Sequence, residues 1–191
     1  MATYDDTLTL RAARRIYFDA NGFGEGGYDA KWVTAKMGPI PIAFPNSPER
    51  VRSVRLHDLH HVVTDYTTDW TGEGEIGAWE IASSCRDHYA AWLLNSFAMG
   101  IGTAIAPGAM WRAFVRGRQT RNLYDREFDE AMLEGTVGDL RARLGLAGAA
   151  RRGTAADAIA FAGWTLIAWL SLVVAAMVVF GPIVLLLAWL F

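Results

Sequence analysis

Apolar positions along this chain recur with helical spacing as far as residue 146, and the chain then ends in one long uncharged stretch. Leu8, Ala12, Ala13, Ile16, Tyr17 and Ala20 share one helix face, which predicts a helix over 7–20. Asn21-Gly22 ends it, and NGFGEGGYD (21–29) reads as a glycine-rich loop. No strand precedes that loop and no GK[ST] follows it, so it does not read as a phosphate loop. Trp32, Val33 and Met37 predict a short helix over 29–37. GPIPIAFPNSP (38–48) predicts an extended loop, because each proline pushes its predecessor out of the helical region.

Ser47-Pro48-Glu49 is a helix start, with Ser as cap and Pro in the first turn, and the helix runs to about Val63. DYTTDWTG (65–72) is a turn, and another helix starts near Gly72. Tyr89 to Trp111 carries no charge. Asn95, Ser96, Thr103, three glycines and Pro107 make it a poor membrane span, so the expectation is a buried central helix broken near Pro107. Residues 125–134 and 137–144 predict two short helices stopped by Gly135 and Gly145.

Residues 147–157, AGAARRGTAAD, form a linker of small residues. From Ala158 to Phe191 no residue is charged. A bilayer core of about 30 Å needs about 20 apolar helical residues, and Ala158–Phe180 meets that requirement alone. Gly181-Pro182 then interrupts the run, giving either a kinked continuation or a partial hairpin with Trp189 and Phe191 in or near lipid. The fold class expected is all-α: a cytoplasmic helical domain (1–146), a linker (147–157) and a C-terminal transmembrane helix (158–191).

Charge refines this picture. Arg141, Arg143, Arg151 and Arg152 precede the apolar end and no Lys or Arg follows it, which places the domain on the cytoplasmic side of an inner membrane. Arg112, Arg116, Arg118 and Arg121 form a basic cluster, either a solvated face or a contact for anionic membrane lipids. A formal net charge of −2 gives no footprint for nucleic acid. The single Cys85 excludes an internal disulfide. The opening MATYDDTLTLRAARR has no apolar core of the signal-peptide kind, so no cleaved export signal is expected.

The chemistry is concentrated in HDLHHVVTDYTTDWTGEGEIGAWE (57–80). His57 and His61 stack one turn apart on a helix, with Asp58 beside them. Two imidazoles and a carboxylate make most of a site for zinc or a similar divalent ion, and a Glu from a neighbouring helix can complete it. Val51 and Val54 share that face, which sets the site against the core. Glu73 and Glu80 lie two turns apart on the next helix, with Asp87 extending the line. Glu80 can orient a ligand or touch substrate, which makes it the candidate catalytic residue. His60 is an extra imidazole expected outside the ligand set. A zincin protease needs Glu where Asp58 stands, and an HD-type phosphohydrolase needs a further upstream His that the chain does not have.

H-D-x-x-H, eleven residues and then Glu73, with Gly72 before it and Trp79 and Glu80 after, resembles the coenzyme Q biosynthesis protein 4 family. RGRQTRNLY (116–124) and TVGDLRARLGL (136–146) look like that family's closing helices, so the resemblance covers roughly residues 8 to 146. GEGE also offers Glu75, and the eleven-residue gap favours Glu73. The resemblance implies a zinc-type centre of His57, Asp58, His61 and Glu73, and a groove along 89–111 for a long apolar chain. It further implies removal of the ring C1 carboxylate of a prenylated quinone precursor, with introduction of a hydroxyl. The alternative is a non-catalytic scaffold or accessory subunit that binds a prenyl lipid or quinone within a membrane electron-transfer complex. The apolar end lies outside the resemblance and favours membrane-protein partners.

Overall fold

The structure is a computed structural model that describes residues 4–37, 40–148 and 151–190. Helices dominate it: α1 (Leu10–Asn21), α2 (Pro48–Thr64), α3 (Trp70–Ser83), α4 (Tyr89–Ile105), α5 (Pro107–Gln119), α6 (Val137–Leu144) and α7 (Ala155–Leu190). Their ends follow local chemistry. Ser47 accepts the Arg50 N–H to cap α2, and Asp69 accepts the Thr71 and Gly72 N–H groups to cap α3. Gly22 and Gly145, both at positive φ, close α1 and α6 as the sequence predicts.

Three expectations change. Residues 29–37 are not helical: β1 (Trp32–Met37) pairs antiparallel with β2 (Ile40–Pro45), Trp32 opposite Pro45 and Met37 opposite Ile40. The Trp-Val-Thr start suits a strand, and the prolines of 41 and 45 are tolerated because a two-stranded ribbon has only edges. The helix expected over 125–134 shrinks to one 3₁₀ turn, Glu130–Glu134, capped by Asp129. The 89–111 helix ends at Ile105 and restarts at Pro107, as expected, but α4 is not wholly buried: Leu93, Leu94 and Ile105 stay exposed.

The core lies between α2, α3, α4 and α5 around Trp79, Phe114, Met99, Met110 and Leu59, all fully buried. Gly77 lets α3 and α4 cross closely, since a Cβ there would sit 3.0 Å from the Asn95 carbonyl oxygen. Gly102 does the same from the other side, where a Cβ would stand 2.9 Å from the Gly74 Cα. This tight crossing places α3, which carries Glu73 and Glu80, at a fixed depth against α2.

α7 starts with a reciprocal cap, Thr154 N–H donating to Asp157 and Asp157 N–H to Thr154 Oγ1. It then continues through Gly181-Pro182 to Leu190, so the chain does not fold back there. Pro182 removes only one helical hydrogen bond, whereas a turn would expose several backbone groups. α7 is long and apolar enough over Ala155–Pro182 to cross a membrane, and little of that stretch is buried. Phe191 lies outside the described residues. The linker is not free of the domain: Gln119 and Arg151 exchange two hydrogen bonds, and Gly153 packs on Trp111.

The arginines also sort differently from the sequence expectation. Arg141 is buried, donating to the Val63, Val62 and Tyr4 carbonyl oxygens and to Asp6 and Asp65. It closes the C-terminal end of α2 and cannot count among charges facing a membrane. Arg116 turns inward to the Thr64 carbonyl oxygen and Arg118 pairs with Asp157, so the basic cluster is dispersed.

Arg141→Leu leaves a buried donor missing beside the Val63, Val62 and Tyr4 carbonyl oxygens and removes an ion-pair partner of Asp6 and Asp65. It should cost about 3 kcal/mol, read as a lower midpoint of chemical unfolding for the full chain in detergent.

Candidate metal centre

α2 presents His57 and His61 one turn apart toward α3, which supplies Glu73 from its first turn. One ligand atom from each of the three lies within 4.8 Å of the others. The His57 and His61 Nε2 atoms are 3.1 Å apart, and the Glu73 oxygens lie 3.8 and 3.7 Å from them. The other ring nitrogens explain this orientation. His57 Nδ1–H donates to Glu80 Oε1 at 2.9 Å, and His61 Nδ1–H to the Tyr66 carbonyl oxygen at 2.9 Å. Each imidazole therefore aims Nε2 at the same point.

That arrangement fits a divalent ion. Two nitrogens bound at about 2.0–2.1 Å in tetrahedral geometry stand roughly 3.3 Å apart, close to the separation here. Backing of a ligand imidazole by a carboxylate and by a carbonyl is the usual outer support of such a centre. His61 is buried and Tyr17 stacks on its ring at 5.3 Å. The Glu73 side chain is 36% exposed and that of His57 19%, so the group opens to solvent on the side of these two residues.

Asp58, expected as a ligand, lies outside the group of three. Its Oδ2 accepts the Tyr28 hydroxyl at 2.6 Å. The helix phase explains it, because His57 and His61 point within about 40° of each other while Asp58 is turned about 100° from His57. Its short side chain meets the 21–29 loop and fastens that loop beside the centre. Glu75 projects from α3 on a different face from Glu73 and lies near Arg112 and Arg116. Asp87 is exposed and pairs with Arg52, so it does not extend the line toward the centre.

Glu80 has no exposed surface, and both oxygens are fully used. Oε1 accepts from His57 and from His60 Nδ1 at 2.5 Å, and Oε2 accepts from Tyr124 OH at 2.8 Å and from the Asn95 amide. Of the two roles expected for it, orienting a ligand is the one these contacts allow, since no substrate could reach it. His60 is likewise buried and no ligand, its Nε2 accepting the Leu123 N–H at 2.9 Å. Tyr17, Tyr28, Asn95 and Tyr124 were not legible as site residues. Asn95 alone left a trace, as the one amide in an uncharged helix.

The electrostatics follow from burial and these pairs. Burial pushes the His57 imidazole down, but Glu80 and Glu73 outweigh it and hold it well above its ordinary value. Burial, with the His57 cation, pushes His61 down to about 4. Burial would raise Glu80, yet His57 and His60 hold it well below the usual carboxylate range. Burial brings the Asp58 carboxyl up to about 6, against the pull of Tyr28. With each Nδ1–H already donated, the raised His57 and the lowered His61 place the hydrogen between the two facing Nε2 atoms on His57.

No protein-family model, curated protein or solved structure matches this chain. The centre is consequently read from its own residues.

A metal ion needs the His57 Nε2 lone pair and must displace that proton. Binding of zinc near neutral pH should release about one proton per ion, and affinity should fall as pH falls. Calorimetry in buffers of different ionisation enthalpy reads it; identical heats in all buffers would contradict the assignment.

The outer carboxylate is tested separately. Glu80→Gln should weaken metal binding by about 10–100-fold, while His61→Ala should abolish it, both followed by metal content and competition with a chelating dye. Full occupancy in His61→Ala would remove the ligand assignment.

Proposed function

We propose that this protein is a membrane-anchored, metal-dependent enzyme acting on the head ring of a prenylated quinone precursor. The observation that carries the reading is the pair of imidazoles, each fixed through Nδ1, aiming Nε2 atoms 3.1 Å apart beside Glu73. Zinc fits this donor set, and such an ion supplies Lewis-acid polarisation of ring substituents or an activated water. The substrate class comes from the H-D-x-x-H, eleven-residue and Glu spacing and its resemblance to the coenzyme Q biosynthesis protein 4 family. The step that resemblance implies, loss of the ring C1 carboxylate as CO2 with introduction of a hydroxyl, is a two-electron oxidation, so it takes dioxygen as co-substrate in addition to the Lewis-acid or water chemistry of the ion.

The chain's own residues have defined tasks in this reading. Glu80 and the Tyr66 carbonyl hold the two imidazoles in one tautomer and one direction. Tyr17 covers the His61 ring and keeps water from that side. Asp58, through Tyr28, holds the glycine-rich loop against the centre. Glu73, on the open side, is the group a substrate would meet first. Arg143, Arg151 and Arg152, all exposed ahead of α7, support an inner-membrane location with the domain on the cytoplasmic side.

One observation favours a second reading. α7 leaves Ile167, Trp169, Leu170, Val174 and Val178 exposed along its length, surface that a membrane-protein partner could cover as well as lipid. The protein would then be an accessory subunit that binds a quinone or prenyl lipid and keeps the ion for structure.

Complementation of a quinone-deficient strain separates the two. Wild type should restore growth and quinone content, and Glu73→Ala should fail while remaining in the membrane fraction at normal abundance. Equal rescue by both, with stoichiometric co-purification of a membrane complex, would favour the accessory role.

A further inference from the structure

We propose that α4 is itself sunk into one membrane leaflet, its outer face covered by phospholipid acyl chains, so that the domain lies in the membrane surface. This rests on the reading of α7 as a membrane-crossing helix.

The two helices run side by side in the same direction. Trp92 of α4 stacks on Trp164 of α7 at 5.0 Å. Two turns further along α4, Gly100 abuts Ala168 and Leu172, where an added Cβ would stand 2.6 Å from the Leu172 side chain. α5 returns in the opposite sense, Trp111 and Phe114 meeting Phe161, and Arg118 pairing with Asp157 at the start of α7. The bend between α4 and α5, Ile105 to Pro107, is thus the part of the domain that reaches furthest along α7.

Length then sets the depth. The uncharged helix from 158 to 190 runs roughly 50 Å at about 1.5 Å per residue, against a hydrocarbon core of about 30 Å. Residues 173–190 would nearly fill that core alone, with its near boundary level with Leu172 and Gly100. Even that placement would bare Leu166, Ile167, Trp169 and Leu170, all exposed beside the domain. Lipid that covers them also submerges the α4–α5 bend.

The composition of α4 fits that position. Leu93, Leu94, Phe97, Ile101 and Ile105 form its outer stripe, with Leu93 53% and Ile105 54% exposed. No polar side chain interrupts the stripe, and no charge occurs from Tyr89 to Trp111. Asp87 precedes α4 at the end away from the bend, and the next charge, Arg112, sits in the second turn of α5 with its guanidinium beside Gly108, where a long side chain can carry its charge to the headgroup level.

The test uses the full chain in phosphatidylcholine vesicles, with an environment-sensitive fluorophore on Ile105→Cys, on Val178→Cys in α7, or on Glu25→Cys in the exposed loop. The native Cys85 is buried and does not compete for the label. The label at 105 should be quenched by nitroxide lipids carrying the spin label high on the acyl chain. Quenching by aqueous iodide, present at 25, should be lost at 105. Iodide access at 105 equal to that at 25, with 178 quenched by lipid, would overturn the inference and leave the anchor standing. Iodide access at 178 as well would overturn both. Protection of 105 from lipid and iodide alike would mean that protein covers the stripe, which also overturns it.

Discussion

The buried carboxylate of Glu80 is the interaction on which the rest of the domain depends. A carboxylate with no exposed surface is costly unless its oxygens are satisfied. Here four donors satisfy them: His57 and His60 from α2, Asn95 from α4, and Tyr124 from the segment after α5. One side chain therefore sets the distance between α2 and α3, fixes the rotation of α4, and draws the 122–124 segment inward. The same contacts choose the tautomer of His57, so the carboxylate that closes the core also aims Nε2 into the candidate metal centre.

Helix phase assigns the three neighbouring histidine-region groups their separate tasks. His57 and His61, four apart, meet at the centre; His60, about 60° from His57 on its other side and about 100° from His61, goes into the core. His60 still contributes, because its Nε2 accepts the Leu123 N–H, a backbone donor that would otherwise be buried without a partner. Replacing it by an apolar residue of similar volume would empty that acceptor and free one Glu80 lone pair at once.

What the sequence made legible was what local spacing encodes. The caps at Ser47 and Gly145, the break at Pro107, the uncharged span and the convergence of His57 with His61 all follow from contacts within a turn or two. Glu73 required a second helix at the right distance, and the eleven-residue gap of the resemblance favoured it over Glu75. The misses are of the opposite kind. Asp58 was grouped with its sequence neighbours, but Tyr28, thirty residues away, holds it. Arg141 looked like a surface charge and instead reaches across to Tyr4, Asp6 and the end of α2. The β-hairpin was misread because Trp32, Val33 and Met37 also satisfy a helical spacing, and only the pairing with 40–45 decides between them.

α4 connects these two scales. One face, through Asn95, completes the coordination of Glu80; a second, at Gly100, receives α7; the third is bare and apolar. The close crossing at Gly77 leaves no slack between α3 and α4, so a displacement of α4 along or into a membrane is transmitted to α3. α3 carries both Glu73 and Glu80. The depth of the domain relative to α7 and the geometry of the metal centre are therefore not independent. If α4 lies in the membrane surface as proposed, an apolar substrate held there would meet a centre whose shape is set by that same helix.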